Sequence, residues 1–188
     1  MWIWILIIVA AVLLDQLTKW LVTANMSVGD AIVVIPKIFR FTYVQNEGAA
    51  FGMLSEHRWV FMVISTVAIV AMFIYLWKFR PESKLACVSL SLIVSGGIGN
   101  MIDRIFRSGV DAKGEVYYYV VDFIDFYALP KVWMWVFNVA DSCVCVGGAL
   151  LALWCIIELI REMKKGKRAP AKAAAASEPA ESEENVEE

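Results

Sequence analysis

Carboxylates, amides and a guanidinium gather into five short clusters of an otherwise apolar chain: Asp15 to Lys19, Asn46 to Ala50, Gly96 to Arg104, Val121 to Phe123 and Phe137 to Asp141. Such groups are costly near lipid, and inside a membrane they mark function by default. Asp141 has the sharpest implication. It is the one charged residue of the 26-residue run Val132 to Ile157, and a charge at the bilayer centre costs roughly 2.5 to 3.5 kcal/mol on insertion scales. A bland solution pairs it with Arg104 or with backbone N–H groups. A second brings it beside another carboxylate, where repulsion and desolvation raise one pKa and the two groups hold a single proton. One ionised and one neutral carboxyl can activate a water and protonate a leaving amine, the chemistry of an aspartic protease.

The elements that must position these groups are membrane spans. The 188 residues are 60% hydrophobic with mean hydropathy +0.65, above the roughly 45 to 50% apolar content of soluble domains. Trp59 to Trp77 runs 19 residues without a charge and Leu85 to Ile102 runs 18, close to the roughly 20 needed to cross a bilayer. Val132 to Ile157 is a third span, in which a helix begun at Val132 would carry Asp141 about 14 Å inward. The first run, Trp2 to Leu14, spans only if its helix continues through Asp15 and Lys19 to about Val22. A cleaved signal peptide would instead show a basic residue before the apolar core and a small-residue cleavage site, and neither stands out. The expected fold is thus a mainly α membrane protein, four transmembrane helices with a small extracytoplasmic β-rich region. A membrane domain over residues 1–160 is followed by a basic and then acidic tail over 161–188, expected to be disordered and cytoplasmic.

Lys and Arg density orients the chain: Lys78, Arg80 and Lys84 fill one short loop, and Arg161, Lys164, Lys165, Lys167 and Arg168 follow the last span, placing both termini in the cytoplasm. Four clusters then lie toward the outer face and Asp122 in the adjoining outer loop. Gly96, Asn100 and Arg104 share a helical stripe, and Asn138 and Asp141 are three apart, so each set can face a bundle interior. Ile32 to Ile35 and Phe39 to Val44 read as a small hairpin or curved sheet, and Val116 to Asp125 as a strand or an interfacial helix. Cys87, Cys143, Cys145 and Cys155 fall in spans without metal-ligand spacing and read as packing residues. Neither a phosphate loop nor a basic surface extensive enough for nucleic acid is present.

In order along residues 10 to 160, Asp15-Gln16-Leu17-Thr18-Lys19, Asn46-Glu47-Gly48-Ala49-Ala50-Phe51, Gly96 through Asn100-Met101-Ile102-Asp103-Arg104, Val121-Asp122-Phe123 and Phe137-Asn138-Val139-Ala140-Asp141 resemble the lipoprotein signal peptidase family. These are bacterial membrane aspartic proteases that remove signal peptides from lipid-modified prolipoproteins. The resemblance implies a catalytic pair of Asp122 and Asp141, with Asp125 a nearby decoy. It implies that Asn46, Asn100, Arg104 and Asn138 line the pocket and position substrate or carboxylates. Asp15, Lys19, Gly48, Gly96 and Asp103 are expected in support, the first two as an i to i+4 pair and Gly96 as a close-packing residue. Neither cofactor nor metal is implied. Expected partners are diacylglyceryl-modified prolipoproteins and membrane lipid, without nucleic acid, and the expected place is the bacterial cytoplasmic (inner) membrane with the site facing outward. The main alternative is a small proton-linked transporter or channel subunit with Asp141, Asp103 and Arg104 as a relay. Such a relay should cross the membrane, yet the inner halves of the four spans lack ionisable groups.

Overall fold

The computed structural model describes residues 2–48, 58–79, 81–128 and 135–176, in two units, Met1–Leu151 and Ala152–Glu188. In the first unit, helix α1 (Ile3–Asn25) is followed by strands β1 (Ala31–Ile35) and β2 (Phe39–Asn46), helices α2 (Arg58–Lys78) and α3 (Lys84–Phe106), and strands β3 (Ser108–Val110), β4 (Val116–Tyr118), β5 (Val120–Asp125) and β6 (Val136–Phe137). Helix α4 (Val139–Ala176) starts in this unit and extends into the second. Ile3–Asn25, Lys84–Phe106 and Val139–Lys165 are long and apolar enough to cross a membrane, and Met62–Lys78 is a shorter apolar helix. In the second unit α4 carries the exposed i to i+3 pairs Glu158–Arg161 and Glu162–Lys165. The helix therefore continues past Arg161; residues 177–188 lie outside the described ones.

Helix α1 is inverted relative to a water-soluble helix. Its buried residues, Trp4, Ile8, Asp15, Lys19 and Val22, form one stripe, while Leu6, Leu13, Leu17 and Trp20 are exposed. That is the pattern a lipid solvent selects, apolar outward with the polar groups paired inside. Trp4 and Ile8 pack with Leu76, Leu90 and Val94 in one apolar cluster, and Val22 packs with Tyr43, Val121 and Phe123 in another. Asp15 and Lys19 fall between these clusters along α1. As expected, the helix continues through both.

The main sheet runs β1-β2-β5-β6, antiparallel throughout, and β3-β4 form a separate hairpin. Ile32 to Ile35 and Phe39 to Val44 therefore are strands, and the open choice for Val116 to Asp125 resolves to β4 and β5. One irregularity places a candidate site side chain, Asn46. Between β2 and β5 the register is Phe41↔Ile124 but then Val44↔Asp122, one residue more on β2 than on β5. Side chains alternate faces with period two; without this bulge Asn46 would face away from Asp122, and with it the two share a face.

The run beginning at Val132 does not form one helix. Val136 and Phe137 pair with Asp125 and Ile124, and α4 starts only at Val139. Asp141 is accordingly in the first turn of its helix, not ten residues into it. The cause is Asn138, which caps the helix. His57, Ala49, Ala50 and Val132 lie outside the described residues.

Candidate active site

Asn138 builds the site's framework. Its Oδ1 accepts the Asp141 backbone N–H at 2.8 Å, and its own backbone N–H reaches back to Asp141 Oδ2 at 3.2 Å. This is a reciprocal capping box, with Asn at the cap and Asp at the third helical position. With the Asn138 oxygen so committed, its Nδ2 donates to Asp122 Oδ1 at 2.7 Å and to Asn100 Oδ1 at 3.0 Å. Asp122 and Asp141, 19 positions apart in sequence, thus both bond to one asparagine.

Each carboxylate oxygen of the pair accepts an N–H. Asp122 takes Asn138 Nδ2 on Oδ1 and Asn46 Nδ2, at 2.7 Å, on Oδ2. Asp141 takes Asn100 Nδ2, at 2.7 Å, on Oδ1 and the Asn138 N–H on Oδ2. The sense of the Asn46 amide is fixed locally, because its Oδ1 accepts the Gly48 N–H at 2.9 Å and turns Nδ2 toward Asp122. Gly48 has φ +95°, a conformation glycine adopts without a Cβ penalty. Asp122 is 1% exposed. Burial first, and then the nearby Asp141, push its carboxyl up to about 7; the Asn46 and Asn138 hydrogen bonds and Lys19 oppose the rise.

Behind the pair lies a buried ionic layer. Lys19 Nζ meets Asp15 Oδ2 at 2.9 Å, Asp103 Oδ2 at 3.0 Å and Asn100 Oδ1 at 3.0 Å. Asp15 Oδ1 also accepts the Ala140 N–H of the first α4 turn at 2.9 Å, so it binds a helix N-terminus, where negative charge is favoured. Asp103 accepts the Val121 N–H at 3.1 Å and pairs with Arg107 at 3.0 Å, which ties α3 to the strand carrying Asp122. Arg104 is half-buried and donates to the Asn100 carbonyl at 3.4 Å. Gly96 lies against the Ala140 carbonyl, where a Cβ would collide with backbone; the expected packing role has this physical cause.

The structure thus brings together Asp15, Lys19, Asn46, Asn100, Asp103, Asp122, Asn138 and Asp141, with Arg104 on the same α3 stripe, Gly48 supplying the positive φ beside Asn46 and Gly96 giving backbone room. Asp125 goes elsewhere: it pairs with Arg40 at 2.6 Å and accepts Thr42 Oγ1 at 2.9 Å, pinning β2 to β5. Gln16 was not singled out by sequence. Its Nε2 reaches the Gly99 carbonyl at 3.1 Å and Asp103 at 3.3 Å, and the available signal was an amide beside Asp15 in an apolar helix.

Residues 7–157 match the family model described as signal peptidase (SPase) II. The lipoprotein signal peptidase of Halalkalibacterium halodurans is 37% identical over 88% of this chain and 97% of its own length. That of Halothermothrix orenii is 44% identical over 79% of this chain and 92% of its own. A solved bacterial membrane enzyme, determined by the in meso method, superposes with TM-score 0.68 at 34% identity, covering 81% of this chain and 91% of that one. With its apolar helices, the chain is a multi-pass membrane protein and a peptidase. It belongs to the signal peptidase II family.

Proposed function

We propose that this chain is the membrane aspartic endopeptidase that removes signal peptides from diacylglyceryl-modified prolipoproteins, cleaving before the lipidated cysteine. The observation that carries the reading is the meeting of Asp122 and Asp141 on Asn138, with an amide N–H on each carboxylate oxygen. The precursor's signal helix enters laterally from lipid. Four spans, α2 completing the set, and the density of Lys and Arg after α2 and α4 support cytoplasmic termini in the inner membrane and an outward-facing site.

The two carboxyls share one resting proton and one negative charge: burial and the nearby Asp141 push the Asp122 carboxyl up to about 7, and Asp141 sits at the positive end of α4. Asp141 takes a proton from water as the water oxygen attacks the scissile carbonyl carbon, and Asp122 donates to the carbonyl oxygen. The tetrahedral intermediate collapses when a proton reaches the cysteine nitrogen and the C–N bond breaks. An acid and a free amine result. Arg104 and the asparagines position substrate backbone and carboxylates. Asp122→Asn or Asp141→Asn, purified in micelles, should bind a lipidated precursor and leave it uncut; full cleavage by either variant ends the assignment.

A further inference from the structure

Lys19 is the only fully buried cation among the described residues. An ammonium has three N–H donors and no acceptor. Two of its contacts, Asp15 and Asp103, tie α1 to itself and to α3. The third leaves this tie and enters the site at Asn100 Oδ1. Because the ammonium can only donate, Asn100 must present its oxygen, and the same oxygen accepts Asn138 Nδ2. Asn100 Nδ2 then faces Asp141 Oδ1. A reversed amide would set N–H against Nζ, N–H against Asn138 Nδ2, and a carbonyl oxygen against the Asp141 carboxylate. All three contacts would repel.

We propose that Lys19 is a positioning residue of this peptidase, whose ammonium fixes the sense of the Asn100 amide so that Asn100 turns its N–H group toward Asp141 and its oxygen toward Asn138 Nδ2, the group that also serves Asp122. The inference rests on the assignment of Asp122 and Asp141 as the reacting pair. A second effect is electrostatic. Charged groups bearing on the pair are Lys19 from α1 and Arg104 from α3, with Asp15, Asp103 and Arg107 behind them; β2 contributes the neutral Asn46. The charge of Lys19 favours the ionised form of the carboxyls it faces, opposing the upward displacement of Asp122 among them, so removing it shifts both limbs of the pH–rate profile, the acidic one included, to higher pH.

A purely structural Lys19 would act only by tying α1 to α3, and Asp103→Asn weakens that tie while leaving the Lys19 to Asn100 contact. Wild type, Lys19→Met, Asp103→Asn and Asp122→Asn are therefore compared in micelles for melting temperature, kcat, KM and pH–rate profile on a diacylated precursor peptide. Lys19→Met should lose about 100-fold in kcat, from two weakened charge-assisted hydrogen bonds, with KM within about threefold. Its acidic limb should move to higher pH. Asp103→Asn should lose less kcat than Lys19→Met, whatever its melting temperature. A Lys19→Met profile with an unmoved limb, or a kcat loss no greater than that of Asp103→Asn, overturns the proposal. If Lys19→Met does not fold, Lys19→Met/Asp103→Asn, which removes one charge of each sign, is read in the same way, and kcat and limb near wild type overturn it. Cleavage by Asp122→Asn would instead refute the reacting pair, a separate result.

Discussion

Asn138 is the sharpest place to perturb, because one side chain serves both the helix start and the proposed reacting pair. Asn138→Ala removes the cap on Asp141 N–H, a bond worth about 1 kcal/mol. It also removes the donor to Asp122, a bond to a carboxyl of the singly charged pair worth roughly 1.5 to 3 kcal/mol, and the donor to Asn100, near 1 kcal/mol. With Asn138 fully buried, the total comes to about 4 kcal/mol, a fall of roughly 10 °C in melting temperature at 2 to 4 °C per kcal/mol. Asn138→Ser keeps a capping oxygen and loses both Nδ2 bonds. Serine should therefore recover about 1 kcal/mol of stability and none of the activity, with kcat down roughly 10- to 100-fold in both variants. Circular dichroism melts in micelles and cleavage of a quenched fluorescent diacylated peptide measure the two quantities. Equal melts for Ala and Ser would refute the capping box. Wild-type kcat in the serine variant would refute the role of the Nδ2 donor.

Asp122 makes stability depend on pH with a definite sign. Below about pH 4 it is protonated folded and unfolded, but between the ordinary value of 3.8 and about 7 only the unfolded chain ionises, so stability falls as pH rises by of order 4 kcal/mol and then levels. Asp122→Asn should melt above wild type at pH 8 and with it near pH 4, and a constant gap across that range would contradict the displacement. Asp125→Asn should retain cleavage within a few-fold and, because its Arg40 partner is partly exposed at 37%, cost no more than about 1 kcal/mol in thermal melts; abolished cleavage would move the reacting pair. Gly48→Ala meets open space but φ +95° and should cost about 1 to 2 kcal/mol, whereas Gly96→Val forces α3 from the Ala140 carbonyl and should reduce folded yield and activity together. Comparable melts for Gly96→Val and wild type would show that this helix contact yields.

What could be read in the sequence was whatever depends on local pattern. The apolar runs located all four helices, and the spacing of Asp15 and Lys19 anticipated a pair now seen at 2.9 Å. Alternation in Phe39 to Val44 marked a strand. Two features were hidden because they arise from tertiary register. The β2 bulge that turns Asn46 toward Asp122 has no signature in β2 alone, since it is defined only against β5. The start of α4 was misplaced because Val132 to Phe137 is as apolar as the helix that follows, and only pairing with β5 makes Val136 and Phe137 a strand. Gln16 escaped notice for a related reason, since its Gly99 partner comes from the packing of α1 on α3. The Asp103–Arg107 pair is four apart on α3, so its spacing was legible and was not read.

The capping box makes Asp141, the proposed reactant, a fastener of α4 as well. Helix ends fray at little free-energy cost compared with global unfolding. Here each fraying event would carry a reactive carboxylate out of register while the sheet and both apolar clusters remain intact. Catalytic uptime is then set by the first turn of one helix, so warming should dim turnover reversibly before ellipticity falls. A bound precursor that covers this turn would keep it wound. Occupancy would then brace the very segment that performs the cut.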